Sequence, residues 1–256
     1  MTKKKYIIGN WKMHLNTHES SLYLHKLEEH IKTRRDVQVV VAPTTLTLQT
    51  LSMQINRHKM KLAAQNIYWR DFGPYTGEVS ATQLRGVVDY ALVGHSERRH
   101  VFLEGGRDIR EKVQAAIRND ITPILCVGET QAERAGGETN DAIYDQVMAG
   151  LANTTSDDVS RVIIAYEPVW AIGTGNNATP ADVKKAIKAI RSQVRHLFGE
   201  KAAEDQIVLY GGSVTQDSAS DYLGTEGVDG LLVGGASLKL HEFVAIVEKA
   251  HKAGEK

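Results

Sequence analysis

Four short stretches of this sequence carry side chains suited to moving a proton on an anionic substrate, and each lies at the end of an apolar run. The first run ends in Asn10 and Lys12, with Trp11 between them. A lysine that follows an apolar segment directly has no intervening loop in which to wander. A fixed ammonium there can hold a phosphate and a developing enolate oxygen together. A later run ends Val93-Gly94-His95-Ser96-Glu97-Arg98-Arg99. Ser96 reads as the start of a helical turn whose backbone N–H groups point back at His95. The positive end of a helix opposes a second proton on the imidazole, so the placement favours a neutral ring. Glu97 is expected to pair with Lys12 and hold it, and Arg98 and Arg99 are expected to serve structural ion pairs.

The third stretch is Ala165-Tyr166-Glu167-Pro168. A carboxylate closing an apolar run and followed by proline has little angular freedom, and a desolvated carboxylate is the stronger base toward a carbon acid. The next residues, Val169-Trp170-Ala171-Ile172, are apolar, and Gly173-Thr174-Gly175 follows. An apolar loop beside a polar site is costly unless it closes on something, so the segment reads as a lid with a glycine hinge. The fourth feature is paired: Gly211-Gly212-Ser213 and Gly234-Gly235-Ala236-Ser237 end two consecutive runs. Backbone N–H groups of Gly173, Ser213, Gly234 and Gly235 are then placed to bind a phosphate dianion without a metal.

The elements that must position these groups repeat one pattern, a short apolar run followed by a segment of helical period. The apolar runs are 6–9, 37–41, 61–65, 90–93, 121–127, 162–166, 207–210 and 230–233. They lack the alternation of a half-exposed sheet, as parallel strands covered on both faces do. Between them, Leu22, Leu24, Leu27 and Ile31 share one helical side, and 110–119, 141–152, 180–198 and 240–251 behave similarly. Thr179-Pro180 is a start signal, a capping residue before a proline at the first helical position. The third and seventh helices are expected to be short.

Eight such units in one chain of this length predict a (β/α)8 barrel, an α/β fold whose active sites lie where the strands end. An open doubly wound sheet would usually carry a GxGxxG turn after its first strand, where this chain has Gly9-Asn10-Trp11-Lys12. No Pro/Gly/Ser-rich linker interrupts the series, so residues 1–256 read as a single catalytic domain.

The totals agree. The 256 residues carry 31 basic and 31 acidic side chains, a formal net charge of zero. This gives no footprint for nucleic acid or anionic lipid, so an anionic ligand must be drawn by local groups. No apolar stretch has the length of a signal-peptide core or a membrane span. The single cysteine, Cys126, excludes an intramolecular disulfide, and no Cys or His cluster has metal-ligand spacing. A soluble protein of the reducing cytoplasm is the expectation.

These residues carry a family resemblance. The stretches Gly9-Asn10-Trp11-Lys12-Met13, Ala64-Gln65-Asn66, Tyr75-Thr76-Gly77-Glu78, Val93 to Arg99, Cys126-Val127-Gly128-Glu129-Thr130, Ala165 to Gly175, Tyr210-Gly211-Gly212-Ser213-Val214 and Leu232 to Leu238 resemble the motifs of the triosephosphate isomerases, in that family's order and spacing. The resemblance covers essentially the whole chain and implies the TIM barrel. It implies Glu167 as catalytic base, His95 as electrophile, Asn10 and Lys12 on the substrate, and Gly173, Ser213, Gly234 and Gly235 on its phosphate. That family is itself the standard example of a carboxylate base working with a neutral histidine under a closing loop.

The implied reaction interconverts D-glyceraldehyde 3-phosphate and dihydroxyacetone phosphate in glycolysis and gluconeogenesis, with no cofactor and no metal. A homodimer is implied as well, through Gly73-Pro74-Tyr75-Thr76-Gly77, a loop docking near the partner's Lys12 and Met13. Departures from the usual motifs fall at Asn176-Asn177-Ala178, where a lysine is common, at Thr44-Thr45, and in a slightly shortened segment between Ser80 and Tyr90. None touches a catalytic position. The rival readings are an isomerase of a four-carbon ketose phosphate, a Schiff-base aldolase using Lys12, and a non-catalytic barrel that binds a phosphometabolite. A pure binder has no use for a base, which argues against the last.

Overall fold

The computed structural model describes residues 4–172 and 177–254. Eight strands, β1 (Lys5–Asn10), β2 (Val37–Ala42), β3 (Met60–Ala64), β4 (Tyr90–Val93), β5 (Thr122–Val127), β6 (Ile163–Tyr166), β7 (Ile207–Tyr210) and β8 (Gly230–Val233), pair in parallel in sequence order. The sheet closes where β1 pairs with β8, Ile7 opposite Leu231 and Ile8 opposite Leu232. This is the expected (β/α)8 TIM barrel.

The unbroken apolar runs follow from the two faces of each strand. Ile8, Val40, Leu92, Ile124, Ala165, Leu209 and Leu232 join a cluster inside the barrel. Their neighbours Ile7, Val39, Val41, Val93, Leu125, Ile164, Val208 and Leu231 belong to a second cluster packed under the helices. Both faces are dry, so period 2 disappears from the sequence while the side chains still alternate in space. Five of the eight strands differ from the sequence expectation by one residue at one or both ends, as at β3, which starts at Met60 and leaves Gln65 beyond its end.

The helices keep the expected order. The helix Pro180–Phe198 starts where Thr179-Pro180 places it. Thr179 Oγ1 accepts the Asp182 N–H at 3.2 Å while Asp182 accepts the Thr179 N–H at 3.1 Å. The third and seventh crossovers hold only Ala81–Leu84 and Ala219–Leu223, as the sparse periodicity suggested. Sequence patterning gave no sign of the short helices Gln131–Ala135, Ser156–Val159 and Glu200–Asp205, which are too short for a 3.6-residue repeat to register. Among the described residues, no helix is long and apolar enough to cross a membrane.

Candidate active site

The strand ends deliver Asn10, Lys12, His95 and Glu167 to one cavity of about 420 Å³, whose wall also includes Ile172, Ser213, Gly234 and Gly235. Gly173, expected beside them on the phosphate, and the expected hinge with Thr174 and Gly175 lie outside the described residues.

Glu167 sits one residue past β6. Its own N–H continues the sheet ladder to Val127 O at 2.7 Å, which fixes its Cα. Its side chain is 2% exposed. Oε1 lies 3.0 Å from His95 Nε2 and Oε2 accepts the Ser96 N–H at 2.9 Å. Burial pushes the carboxyl pKa up, but His95, the Ser96 N–H and the Lys12 charge together hold it below the usual carboxylate range. The base therefore waits ionised.

His95 is the N-cap of the helix Ser96–His100, and its Nδ1 accepts the Glu97 N–H at 3.2 Å. Burial disfavours the imidazolium, whereas the Glu167 carboxylate pulls the ring's pKa up, and the carboxylate prevails in the free site. The Nδ1 contact decides the form of the ring. A nitrogen facing a backbone N–H must offer a lone pair, so this contact places the proton of a neutral ring on Nε2, against the upward pull of the Glu167 carboxylate.

Lys12 has φ +50°, a left-handed conformation costly for a side chain of this length. Its backbone is pinned there from two sides: its N–H donates to Asn10 Oδ1 at 3.0 Å, and Gln65 Nε2 donates to its carbonyl at 2.8 Å. Gln65 Nε2 also donates to Ala42 O, so one amide ties the ends of β1 and β2 together. The Lys12 ammonium meets Glu97 Oε1 at 2.5 Å, the pairing expected from the sequence. Asn10, the last residue of β1, is buried at the base of this turn.

The segment after Glu167 starts with a 3-10 turn, Val169–Ala171. Trp170 Nε1 donates to Glu129 at 2.8 Å, and the Arg134 guanidinium lies 3.9 Å over the Trp170 ring while pairing with Asp182 at 3.2 Å. Glu129 is fully buried and also accepts the Tyr166 hydroxyl. Gly128 approaches so closely that a Cβ there would lie 1.9 Å from Glu167 O. On the other side of the site, Gly235–Leu238 forms a 3-10 turn, and Ser237 holds the Gly234 carbonyl through both its N–H and its hydroxyl.

One expectation needs correction. Arg98 does form a structural pair, with Glu104 at 2.6 Å. Arg99 does not. It donates to the carbonyls of Gly94 and Cys126 at 2.7 and 2.8 Å. Gln65, Glu129 and Gly128 lay inside stretches that carried the family resemblance, but nothing local in the sequence told what each would touch. Among the described residues, no group of three His, Cys, Asp or Glu side chains is placed to hold a metal ion.

The comparisons with known proteins agree with this geometry. A family model described as triosephosphate isomerase matches residues 5–250. The triosephosphate isomerase of Caldanaerobacter subterraneus subsp. tengcongensis is 41% identical over 246 residues, 96% of this chain and 99% of the relative. That of Clostridium tetani is 41% identical over 246 residues, 96% of each chain. That of Roseiflexus sp. (strain RS-1) is 43% identical over 242 residues, 94% of this chain and 95% of the relative.

Proposed function

Because the chain belongs to the triosephosphate isomerase family, we propose that Glu167 is its proton-transferring base and His95 its electrophile, with Lys12, Asn10 and Glu97 completing the catalytic set. The enzyme interconverts D-glyceraldehyde 3-phosphate and dihydroxyacetone phosphate, an intramolecular aldose–ketose isomerisation. The observation that carries the residue assignment is the buried, ionised Glu167 carboxylate, held against His95 Nε2 in the cavity that Lys12 also lines.

Substrate enters with its phosphate toward Ser213, Gly234, Gly235 and Gly173 and its carbonyl toward His95 and Lys12. Glu167 gives up its contacts with His95 and the Ser96 N–H and takes the proton from the carbon beside the carbonyl. The electron pair moves onto the carbonyl oxygen, giving an enediolate. Neutral His95 donates Nε2–H to that oxygen and the Lys12 ammonium offsets its charge, an arrangement that needs no reorganisation as the charge develops. Glu97 and Asn10 keep the ammonium and the strained Lys12 backbone in place. Having given up its proton, His95 takes the hydroxyl proton from the neighbouring oxygen, and Glu167 returns its proton to the former carbonyl carbon, which completes the reaction. The apolar 169–172 segment acts as a lid that excludes water from the intermediate.

Residues 1–256 act as one catalytic domain in the cytoplasm, in glycolysis and gluconeogenesis, as a homodimer joined through the Gly73–Gly77 loop. Exposed Met13 and Phe72, 92% and 88% accessible, support that contact. The test of the substrate assignment is kcat/KM of the purified protein on three-carbon and four-carbon ketose phosphates. The triose phosphate should be favoured by orders of magnitude; comparable values would contradict the triose assignment.

A further inference from the structure

We propose that Arg99 is a positioning residue for the His95–Glu167 pair, clamping the ends of β4 and β5 together and supplying a fixed, half-buried charge behind the base. The proposal rests on the reading of Glu167 as that base.

The clamp is geometric. Arg99 Nε donates to Gly94 O, the carbonyl immediately before His95, and Nη2 donates to Cys126 O. Cys126 pairs in register with Ala165, two residues before Glu167. One planar fork therefore joins the strand end that presents His95 to the strand flanking the one that presents Glu167. Gly94 is fitted to it. Its φ is +67°, and a Cβ there would stand 2.9 Å from Arg99 Nη2 and 3.1 Å from Ile109. Only glycine supplies both the backbone conformation and the room.

The charge is unusual in its surroundings. No carboxylate among the described residues lies within ion-pair distance of Arg99; its bonds go to neutral carbonyls. Burial pushes its pKa down, yet a guanidinium starts too high to lose its proton. Arg99, Cys126, Ser96 and Glu167 border one void too small to admit a water molecule, which leaves no room there for solvent between the guanidinium and the base. The Cys126 thiol is no counter-ion, because burial pushes its pKa well up.

The groups facing Glu167 are thus His95 and the Ser96 N–H from the turn, the Cys126 thiol from β5, Lys12 from across the mouth and Arg99 from behind. Lys12 is already met by Glu97. Arg99 is the cation of this set that neither pairs with a carboxylate nor lines the substrate cavity.

The experiment compares Arg99→Gln and Arg99→Lys with wild type, measuring Tm and the pH profile of kcat. At saturation kcat is blind to ionisation of the free substrate's phosphate. Arg99→Gln should move the acid limb up by about one pH unit and lower kcat about tenfold or more, with KM little changed. Arg99→Lys should leave the limb in place and still lower kcat, because an ammonium cannot span both carbonyls. A folded Arg99→Gln with an unmoved limb, or variants that lose only Tm, would overturn the proposal. Should Arg99→Gln not fold, Arg99→Lys decides: reduced kcat at an unmoved limb supports the clamp, and wild-type kcat refutes it. Glu167→Asp is the control for the base itself. If its limb matched wild type, Glu167 would not be the titrating base, whatever Arg99 does.

Discussion

Glu167 Oε1 rests 3.0 Å from His95 Nε2 while its other oxygen accepts the Ser96 N–H, so the free site stores the base against the electrophile and not against water. Glu167 must leave His95 before it can turn to the substrate. That coupling makes the placement of each backbone, more than the identity of the side chains alone, decisive for turnover.

Lys12 shows the same dependence. Its ammonium faces both the phosphate and the developing enediolate in the proposed mechanism, so Lys12→Met should raise KM and lower kcat together. Loss of one such donor is worth about 10²–10³-fold in rate. Steady-state kinetics on the variant check this. A rise in KM alone would make Lys12 a uniform binder that does not favour the transition state.

Gly128→Ala tests the backbone beneath the base. The added methyl would meet Glu167 O at 1.9 Å and Glu167 C at 2.6 Å, both main-chain atoms that cannot move singly. The variant should lose about 1–3 kcal/mol of stability and about 10²-fold in kcat. A variant with wild-type kcat would show that the carboxylate tolerates displacement of its own peptide.

Asp182 sets a pH dependence at the root of the lid's second end. Burial raises its pKa, but the Thr179 hydroxyl and N–H and the Arg134 guanidinium bring it below the usual carboxylate value. A depressed folded-state pKa stabilises the protein fully above the unfolded value and loses that contribution as pH falls through the folded one. Asp182→Asn should therefore cost about 1 kcal/mol at neutral pH, with the two Tm curves converging as the pH falls below the ordinary carboxylate range. A gap that stays constant across that range would assign the loss to packing.

The proposed dimer is open to sedimentation. At micromolar concentration the wild type should run as twice its chain mass, and Phe72→Glu should shift it toward monomer with a loss of activity. A fully active wild-type monomer would refute the Gly73–Gly77 contact.

Much of this was legible in the sequence. Eight apolar runs gave the barrel because strands dry on both faces leave continuous β-branched stretches. Lys12, His95 and Glu167 stood out because each follows such a run without a loop. The Lys12–Glu97 pair was readable once both were placed at strand ends. What stayed hidden depends on register between distant strands: the Arg99 bond to Cys126 O, the Gln65 bond to Ala42 O, and the approach of Gly128 to Glu167. No local pattern encodes which carbonyl lies beside a given guanidinium or amide. The short helices escaped for a different reason, being shorter than the period used to detect them.

The central claim is that Glu167 carries the proton between adjacent carbons. The direct measurement is the isomerisation rate of wild type and Glu167→Gln side by side on D-glyceraldehyde 3-phosphate, with phosphate affinity measured on the same preparations. The amide cannot accept a carbon-bound proton, so kcat should fall at least about 10²–10⁴-fold while phosphate affinity stays nearly unchanged. A Glu167→Gln enzyme that keeps most of its kcat would remove Glu167 from the mechanism.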